Sequence, residues 1–226
     1  MDAYGALMID VYPVTTNPSP LTQVSDRFDH AWQSTRRLKP VWNIPQTFGY
    51  DVVEGREEQS GWVTPTPAQE RVMHYLALTH GARGSVAYCY HVYTRFDAEA
   101  QKAGKWAWFL GGYLPDKQTV LWGELVRLAE EQQLLSEALL QTRHETRVYA
   151  DGQLHVGWFF DRGKAWVVAV NADATEAHRQ VVELPKGVAV PQAVADLGIG
   201  GSALLEDGRV VLEVPAMETV AARLRF

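Results

Sequence analysis

Hydrophobic and polar positions follow two different rhythms along the chain, and the change falls near residue 141. Before that point, short apolar runs alternate with longer segments in which apolar residues recur every three or four positions, as in strands alternating with helices. After it, short strand-like runs follow one another with turn residues between them, which is typical of antiparallel sheets. The sequence therefore predicts two domains, 1–141 and 142–226, with an α/β fold followed by an all-β fold.

The first domain contains three apolar runs of strand length separated by segments with helical spacing. The predicted elements are strands over 6–13, 41–48 and 85–93, and helices over 21–38, 71–80 and 122–140. The middle helix carries a clear start signal, because Thr66 is followed by Pro67 at the first helical position and by Gln69 in the capping-box position.

The second domain is divided by turns that carry residues tolerant of positive φ, such as Asp151-Gly152 and Asp207-Gly208. The predicted strands are 145–149, 154–160, 165–171, 180–184, 210–214 and 219–226. This pattern of short strands predicts a small antiparallel β-sandwich.

Composition narrows the classes of function. The net charge of −6 and the pI near 5.6 argue against a partner that is nucleic acid or an anionic membrane. Cys89 is the only cysteine, which excludes an intrachain disulfide or a cysteine-based zinc site, and the seven histidines lack a metal-binding spacing. We therefore expect no metal and no cofactor.

No apolar run approaches the roughly 20 residues that a membrane-spanning helix needs. The first residues lack the basic region and apolar core of a signal peptide, so we expect a soluble protein, with no signal that assigns a compartment. Aromatic residues make up 11% of the chain, including 8 Trp, which is common where sugar rings are stacked.

A resemblance rests on four stretches taken in order. They are Ile9-Asp10-Val11-Tyr12-Pro13, the stretch 39–48 that ends in Ile44-Pro45-Gln46-Thr47-Phe48, the segment 71–82, and Tyr88. Together they resemble the last three βα units of a TIM-barrel glycoside hydrolase of the β-galactosidase and endoglucanase kind, and the following segment is similar to the C-terminal β-sandwich of such enzymes. Since a complete barrel takes about 200 residues or more, the resemblance implies a partial (βα) barrel of about three units.

The resemblance implies hydrolysis of a glycosidic bond by two carboxylates. In this family the nucleophile follows strand seven, where this chain has Gln46, which can bind a sugar hydroxyl but cannot be a nucleophile. Asp10 lies at the C-terminal end of its strand and is the candidate catalytic residue; the alternatives are that it caps a loop or pairs with an arginine. The missing carboxylate pair favours a second hypothesis, a noncatalytic module that binds carbohydrate.

The candidate substrate-binding residues are those expected near the ends of the strands: Tyr12, Gln46, Tyr90 and His91. The tryptophans in the loops have two possible roles, stacking on a sugar or packing against the side of the barrel; they are Trp62, Trp106 and Trp108. We interpret the glutamates of the loop 49–64 as a solvated face; they are Glu54, Glu57 and Glu58. We interpret Trp42, within its strand, as a core residue.

An isolated set of three parallel strands leaves two open edges and an uncovered apolar face. We therefore expect a homo-oligomer, most simply a dimer that completes the open barrel, with carbohydrate as the ligand. The competing interpretation is that the long loops 49–64 and 94–117 fold over the gap.

Overall fold

The computed structural model describes residues 5–36, 38–49, 61–105 and 108–226, with the backbone alone for 92–94 and 108–112. The elements up to residue 141 are β1 (Leu7–Val11), α1 (Gln23–Ser34), β2 (Val41–Pro45), α2 (Pro67–Thr79), β3 (Gly84–Ser85), β4 (His91–Phe96), α3 (Ala98–Lys102), β5 (Trp108–Tyr113), α4 (Leu114–Lys117), α5 (Thr119–Leu134) and α6 (Ser136–Leu139). Helices and strands mix here, as predicted. None of the helices in these ranges is long and apolar enough to cross a membrane.

The first sheet is parallel, with the order β1-β2-β3. Leu7 lies opposite Val41 and Trp42 lies opposite Gly84, so the three strands share one direction, as βα units require. The predicted third strand over 85–93 was wrong in extent. The strand ends at Ser85, and the side chains from Val86 to Tyr88 that follow it are exposed rather than packed in a core. The segment His91–Phe96, part of which was assigned to this strand, forms a separate strand that pairs antiparallel with β5.

The rest of the chain forms two antiparallel sheets. Their strands are β6 (Arg143–Tyr149), β7 (Leu154–Asp161), β8 (Lys164–Asn171), β9 (His178–Val182), β10 (Ala193–Asp196), β11 (Ser202–Glu206), β12 (Arg209–Val214) and β13 (Thr219–Arg225). Five of them form a sheet in the order β10-β13-β8-β7-β6, and the other three form a sheet in the order β11-β12-β9. The short strands β10 and β11 were not predicted.

The three central strands of the five-stranded sheet, β13, β8 and β7, are buried on both faces. Along β7, Val156 and Trp158 point to one face and pack with Val210 and Leu212 of the three-stranded sheet. Phe159 points to the other face and packs with the helices and the parallel sheet. This sheet therefore joins two hydrophobic cores, one on each side, because its strands alternate apolar residues on both faces.

Helix α2 is the most enclosed helix of the fold, since every residue from Glu70 to Thr79 is buried. Its predicted capping box is confirmed: the Thr66 hydroxyl accepts from the Gln69 amide at 3.2 Å, and the Gln69 side chain accepts from the Thr66 amide at 2.9 Å. At the other end, a Cβ on Gly157 of β7 would lie 2.7 Å from the Thr79 carbonyl oxygen. Only glycine permits this close approach between helix and sheet.

Burial obliges the polar residues of α2 to find partners inside the protein. Arg71 is 1% exposed, and its guanidinium donates two hydrogen bonds to Glu131 of α5 at 2.8 and 2.9 Å. The same group lies 2.9 Å from a carboxylate oxygen of Glu124 and donates to the Thr219 hydroxyl at 3.0 Å. Arg71 therefore connects α2 to α5 and to β13.

Glu70, next to Arg71 on α2, is fully buried, and neither of its carboxyl oxygens has a hydrogen-bond partner among the described residues. Burial, reinforced by the charge of nearby Glu124, raises the pKa of Glu70 well above its ordinary value. Burial therefore favours the neutral form of this carboxyl group.

Replacing Arg71 should strongly destabilise the fold, because Glu124 and Glu131 would be left as carboxylates without their buried cation. We expect Arg71→Ala to lower the free energy of unfolding by about 3–5 kcal/mol. Arg127→Ala is the matched control, since Arg127 also pairs with Glu124 but is 54% exposed, and it should cost about 1 kcal/mol or less. Urea unfolding measures both variants, and equal losses would contradict this role for Arg71.

Candidate functional site

The carboxyl ends of the parallel strands meet along one edge of the sheet, the position at which barrel enzymes carry their functional residues. Tyr12 follows β1, and Gln46 follows β2. Gln46 forms a parallel bridge with Tyr88, and the Thr47 amide donates to the Tyr88 carbonyl at 2.7 Å. The segments that follow the three strands are thus held side by side.

The side chain of Gln46 is completely buried and joins three segments of this edge. Its carbonyl oxygen accepts from the Val14 amide at 3.1 Å. Its amide nitrogen lies within 2.9–3.0 Å of the carbonyl oxygens of Val14, Phe48 and Val63, to which it donates. The polar atoms of Gln46 are therefore used by the protein's own backbone, and the expected contact with a sugar stays a prediction.

Asp10 lies on the exposed side of β1, opposite Ile44 of β2. No hydrogen bond or ion pair joins it to another of the described residues, so among these residues it neither caps a loop nor pairs with an arginine. Tyr12, two residues further on, is partly buried. Burial, followed by the negative charge of Asp10, raises the pKa of Tyr12 to about 12, so its hydroxyl stays protonated beside the carboxylate.

Two groups of aromatic rings lie at the strand ends. The strand-end group consists of Tyr12, Phe48, Trp62 and Tyr88. Tyr12 meets Phe48 edge to face at 5.1 Å and stacks on Tyr88 with centroids 6.1 Å apart. Tyr88 is 49% exposed, so this group presents an aromatic surface to solvent.

The hairpin group consists of Tyr90, His91, Tyr113 and Trp122. Tyr90 and Tyr113 stack with centroids 5.2 Å apart and planes 29° from parallel, and Trp122 meets Tyr90 edge to face at 6.0 Å. Two of the predicted substrate-binding residues, Tyr90 and His91, belong to this group, whereas Tyr12 belongs to the strand-end group. The side chains predicted at one site are thus divided between two neighbouring clusters.

Four of these aromatic residues were not predicted as site residues: Phe48, Tyr88, Tyr113 and Trp122. The recurrence of tyrosine at 88 and 90, at the end of an apolar run, was a usable signal. Tyr113 could not be found in this way, because its position depends on the pairing of β4 with β5.

One face of the parallel sheet carries exposed apolar side chains in alternate positions. Met8 is 46% exposed, Trp42 38% and Val86 45%, and Asp10 lies on this face too. The interpretation of Trp42 as a core residue was therefore wrong for the isolated chain. Its ring lies over Gly84 of the neighbouring strand, on the side that a complete barrel would bury.

The loop glutamates Glu54, Glu57 and Glu58, together with Trp106, lie outside the described residues, and the side chain of Trp108 is not described. Within the described ranges, no three His, Cys, Asp or Glu side chains are grouped so as to hold a metal ion. The chemistry that these ranges offer at the strand ends is a carboxylate, a protonated phenol and a set of aromatic faces.

No protein-family model matches the chain, and no curated protein matches it. Solved structures do match it. A GH30 endoxylanase from Clostridium papyrosolvens C71 is 11% identical with a TM-score of 0.51, over 100% of this chain and 50% of that one. An α-amylase from H. orenii is 9% identical with a TM-score of 0.51, over 91% and 47%. An α-amylase from Geobacillus thermoleovorans is 12% identical with a TM-score of 0.50, over 92% and 47%.

These matches show a fold related to that of glycoside hydrolases, as the sequence predicted. The chain spans about half the length of the solved structures that it matches. Because the neighbours include both an endoxylanase and α-amylases, they do not single out the β-galactosidase and endoglucanase kind.

Proposed function

We propose that this glycoside-hydrolase-related protein binds carbohydrate at the carboxyl-end edge of its parallel sheet. The observation that carries the proposal is the half-exposed aromatic surface there, with Tyr88 at 49%, Tyr90 at 50% and Tyr113 at 48%. The face of an aromatic ring is apolar and electron-rich, which suits the C–H face of a pyranose ring. The neutral hydroxyl of Tyr12 and the ring of His91 supply polar contacts beside these faces.

In this proposal the chain corresponds to the rear part of a TIM-barrel glycoside hydrolase of the β-galactosidase and endoglucanase kind. Residues 1–141 are its partial barrel of three βα units, and residues 142–226 are its β-sandwich. The parallel order β1-β2-β3 and the core shared by the two antiparallel sheets support this division. Gln46 then acts as a positioning residue that holds the sugar-binding loops in place.

Hydrolysis of a glycosidic bond is the second candidate function, and Asp10 favours it. An exposed carboxylate with no ion-pair partner among the described residues, beside a protonated phenol, has the chemistry of a nucleophile or a general base. The reaction needs a second carboxylate, about 5–5.5 Å away for retention or about 6.5–9.5 Å away for inversion. Glu54, Glu57 and Glu58 are the candidates that the sequence offers from this chain.

Loss of an aromatic face should weaken carbohydrate binding. We expect Tyr90→Ala and Tyr113→Ala each to lower affinity roughly five- to tenfold, which corresponds to about 1–1.4 kcal/mol of stacking. Titration calorimetry with xylan and malto-oligosaccharide fragments measures this effect. Phe226→Ala is the control, because Phe226 is an exposed aromatic residue (42%) at the C-terminal end, and it should change nothing. Absence of binding by the unmodified protein would refute the proposal.

Any glycosidase activity should depend on Asp10. We expect Asp10→Asn to lower the rate of aryl-glycoside hydrolysis at least about 100-fold, because the amide cannot exchange a proton or attack the sugar. Asp26→Asn makes the same change at an exposed position of α1, away from the strand ends, and should retain the rate of hydrolysis. Full activity of Asp10→Asn would remove Asp10 from the mechanism. Sugar binding with no hydrolysis of any glycoside would leave the binding module as the function.

We further propose that a second copy of the chain completes the site. In the described sheet, β1 and β3 each have one neighbour, β2, so both outer edges are open. A twofold axis parallel to the strands would place β1 of one copy beside β3 of the other in the same direction. The resulting six strands would enclose Met8, Trp42 and Val86 and bring two copies of Asp10 to one mouth.

A dimer should have twice the 25.3 kDa mass of the chain in light scattering at micromolar concentration. Trp42→Glu should reduce the mass to that of one chain, because it puts a charge into the proposed interior. Leu204→Glu is the matched control, since Leu204 is similarly exposed (40%) but lies on β11. A single-chain mass for the unmodified protein at all concentrations would refute the dimer and favour closure of the gap by the chain's own loops.

A further inference from the structure

A line of polar contacts runs from α1, past the end of α2, to β7. Asp29 Oδ1 lies 2.8 Å from His80 Nδ1, and His80 Nε2 lies 2.8 Å from His155 Nδ1. His155 Nε2 lies 3.0 Å from the Gly152 carbonyl oxygen. The two rings are 3% and 4% exposed, so water does not replace the contact between them, whereas the Asp29 side chain is 54% exposed. We refer to the four groups, Asp29, His80, His155 and the Gly152 carbonyl, as the histidine clasp.

The clasp requires more protons than two neutral histidines carry. Its ends, a carboxylate and a carbonyl oxygen, both accept hydrogen bonds and donate none. The three contacts between them need three protons, whereas two neutral imidazoles hold only two. With two protons, one contact places two lone pairs against each other: at Asp29, between the two rings, or at Gly152. The geometry therefore calls for one additional proton.

The charges around the clasp indicate where this proton resides. Partial burial raises the pKa of Asp29, but the hydrogen bond from His80 and the charges of His80, His155 and His144 outweigh it, and the net pKa is lowered. Burial, followed by the charge of His80, lowers the pKa of His155 to about 4, against the opposing effects of the Gly152 carbonyl and Asp29. Asp29 is therefore ionised and His155 neutral, which leaves His80.

We propose that the histidine clasp is a pH-dependent link between the helices and the antiparallel sheet, closed when His80 carries both ring protons. His80 then donates to Asp29 on one side and to His155 on the other, and His155 donates to Gly152. Asp29 from α1 and His155 from β7 contact the ring of His80, and His144 from β6 lines the same cleft and acts on the charge of Asp29. The link does not depend on the proposed carbohydrate function.

Loss of the additional proton breaks one of the three contacts that join α1, the end of α2 and β7. Since the folded state holds this proton and an unfolded histidine loses it near pH 6.5, stability is present at low pH and falls as the pH rises. Asp29 makes stability fall at the acidic end of the range. Because its pKa is lowered, its contribution to the free energy of unfolding is present above about pH 3.9 and is lost on acidification below that pH. His155 sets a nearer limit, because its pKa is lowered to about 4: below about pH 6.5 an unfolded histidine takes up a proton that the folded ring does not, so acidification lowers the free energy of unfolding. The clasp therefore contributes most to stability close to about pH 6.5.

Substitution of Asp29 by asparagine tests the proposal. The side-chain amide that this change introduces can donate to His80 Nδ1, so all three contacts are satisfied with neutral rings. We expect the unfolding constant of the unmodified protein to rise roughly two- to tenfold between pH 6.5 and pH 8.5, because the folded state holds one proton that the unfolded state releases. In Asp29→Asn this rise should disappear, whereas Asp26→Asn, the same change one turn earlier on α1, should keep it. An equal rise in Asp29→Asn would overturn the proposal.

Nitrogen-15 spectra of the histidine rings supply a test that needs no substitution. At pH 6 to 7 we expect His80 to show two protonated ring nitrogens and His155 to show a proton on Nε2 alone. At pH 8.5 we expect the spectra to show one more unprotonated nitrogen among the rings of His80 and His155 than at pH 6 to 7. A neutral His80 ring throughout this range would overturn the proposal.

Discussion

The enclosure of α2 is the constraint on which the rest of the fold depends. Because two helices, α1 and α5, and strands of two sheets pack against it, its polar residues from Glu70 to Thr79 are shielded from bulk water. Arg71 therefore takes its partners from α5 and β13, and His80 takes its partners from α1 and β7. These polar contacts join the helix to the elements around it, while apolar burial supplies most of the stabilisation.

Most of the fold could be predicted because local hydrophobic spacing agrees with the final burial. The strands β1, β2, β7 and β8 and the start of α2 all carry their own signals. The strand β10 does not, because it has four residues and pairs with β13, which is distant in sequence. The strand β11 was missed although it forms a hairpin with β12 across the turn Asp207-Gly208, because its apolar run is short and half exposed. The break between α5 and α6 at Leu135 was also missed, since the apolar stripe continues through it.

The candidate site was predictable in position but not in detail. The rule that functional residues follow parallel strands located Asp10, Tyr12 and Gln46 at one edge. Whether such a residue faces solvent or backbone depends on the register and on the loops that cross it, which spacing does not reveal. Gln46 is the clear example, because only the folded loops show that its amide joins Val14, Phe48 and Val63.

The close approach at Gly157 has a consequence beyond the packing of α2 on the sheet. Gly157 and His155 are two residues apart on β7, so they face the same side and meet the same end of the helix. The missing Cβ lets the strand lie against the Thr79 carbonyl, and His80 is the next residue along the chain. A side chain at position 157 would push the strand away from the end of the helix and separate the rings of His80 and His155, whose facing nitrogens lie 2.8 Å apart. The hydrogen bond between the two imidazoles therefore depends on glycine at a position that takes no part in it.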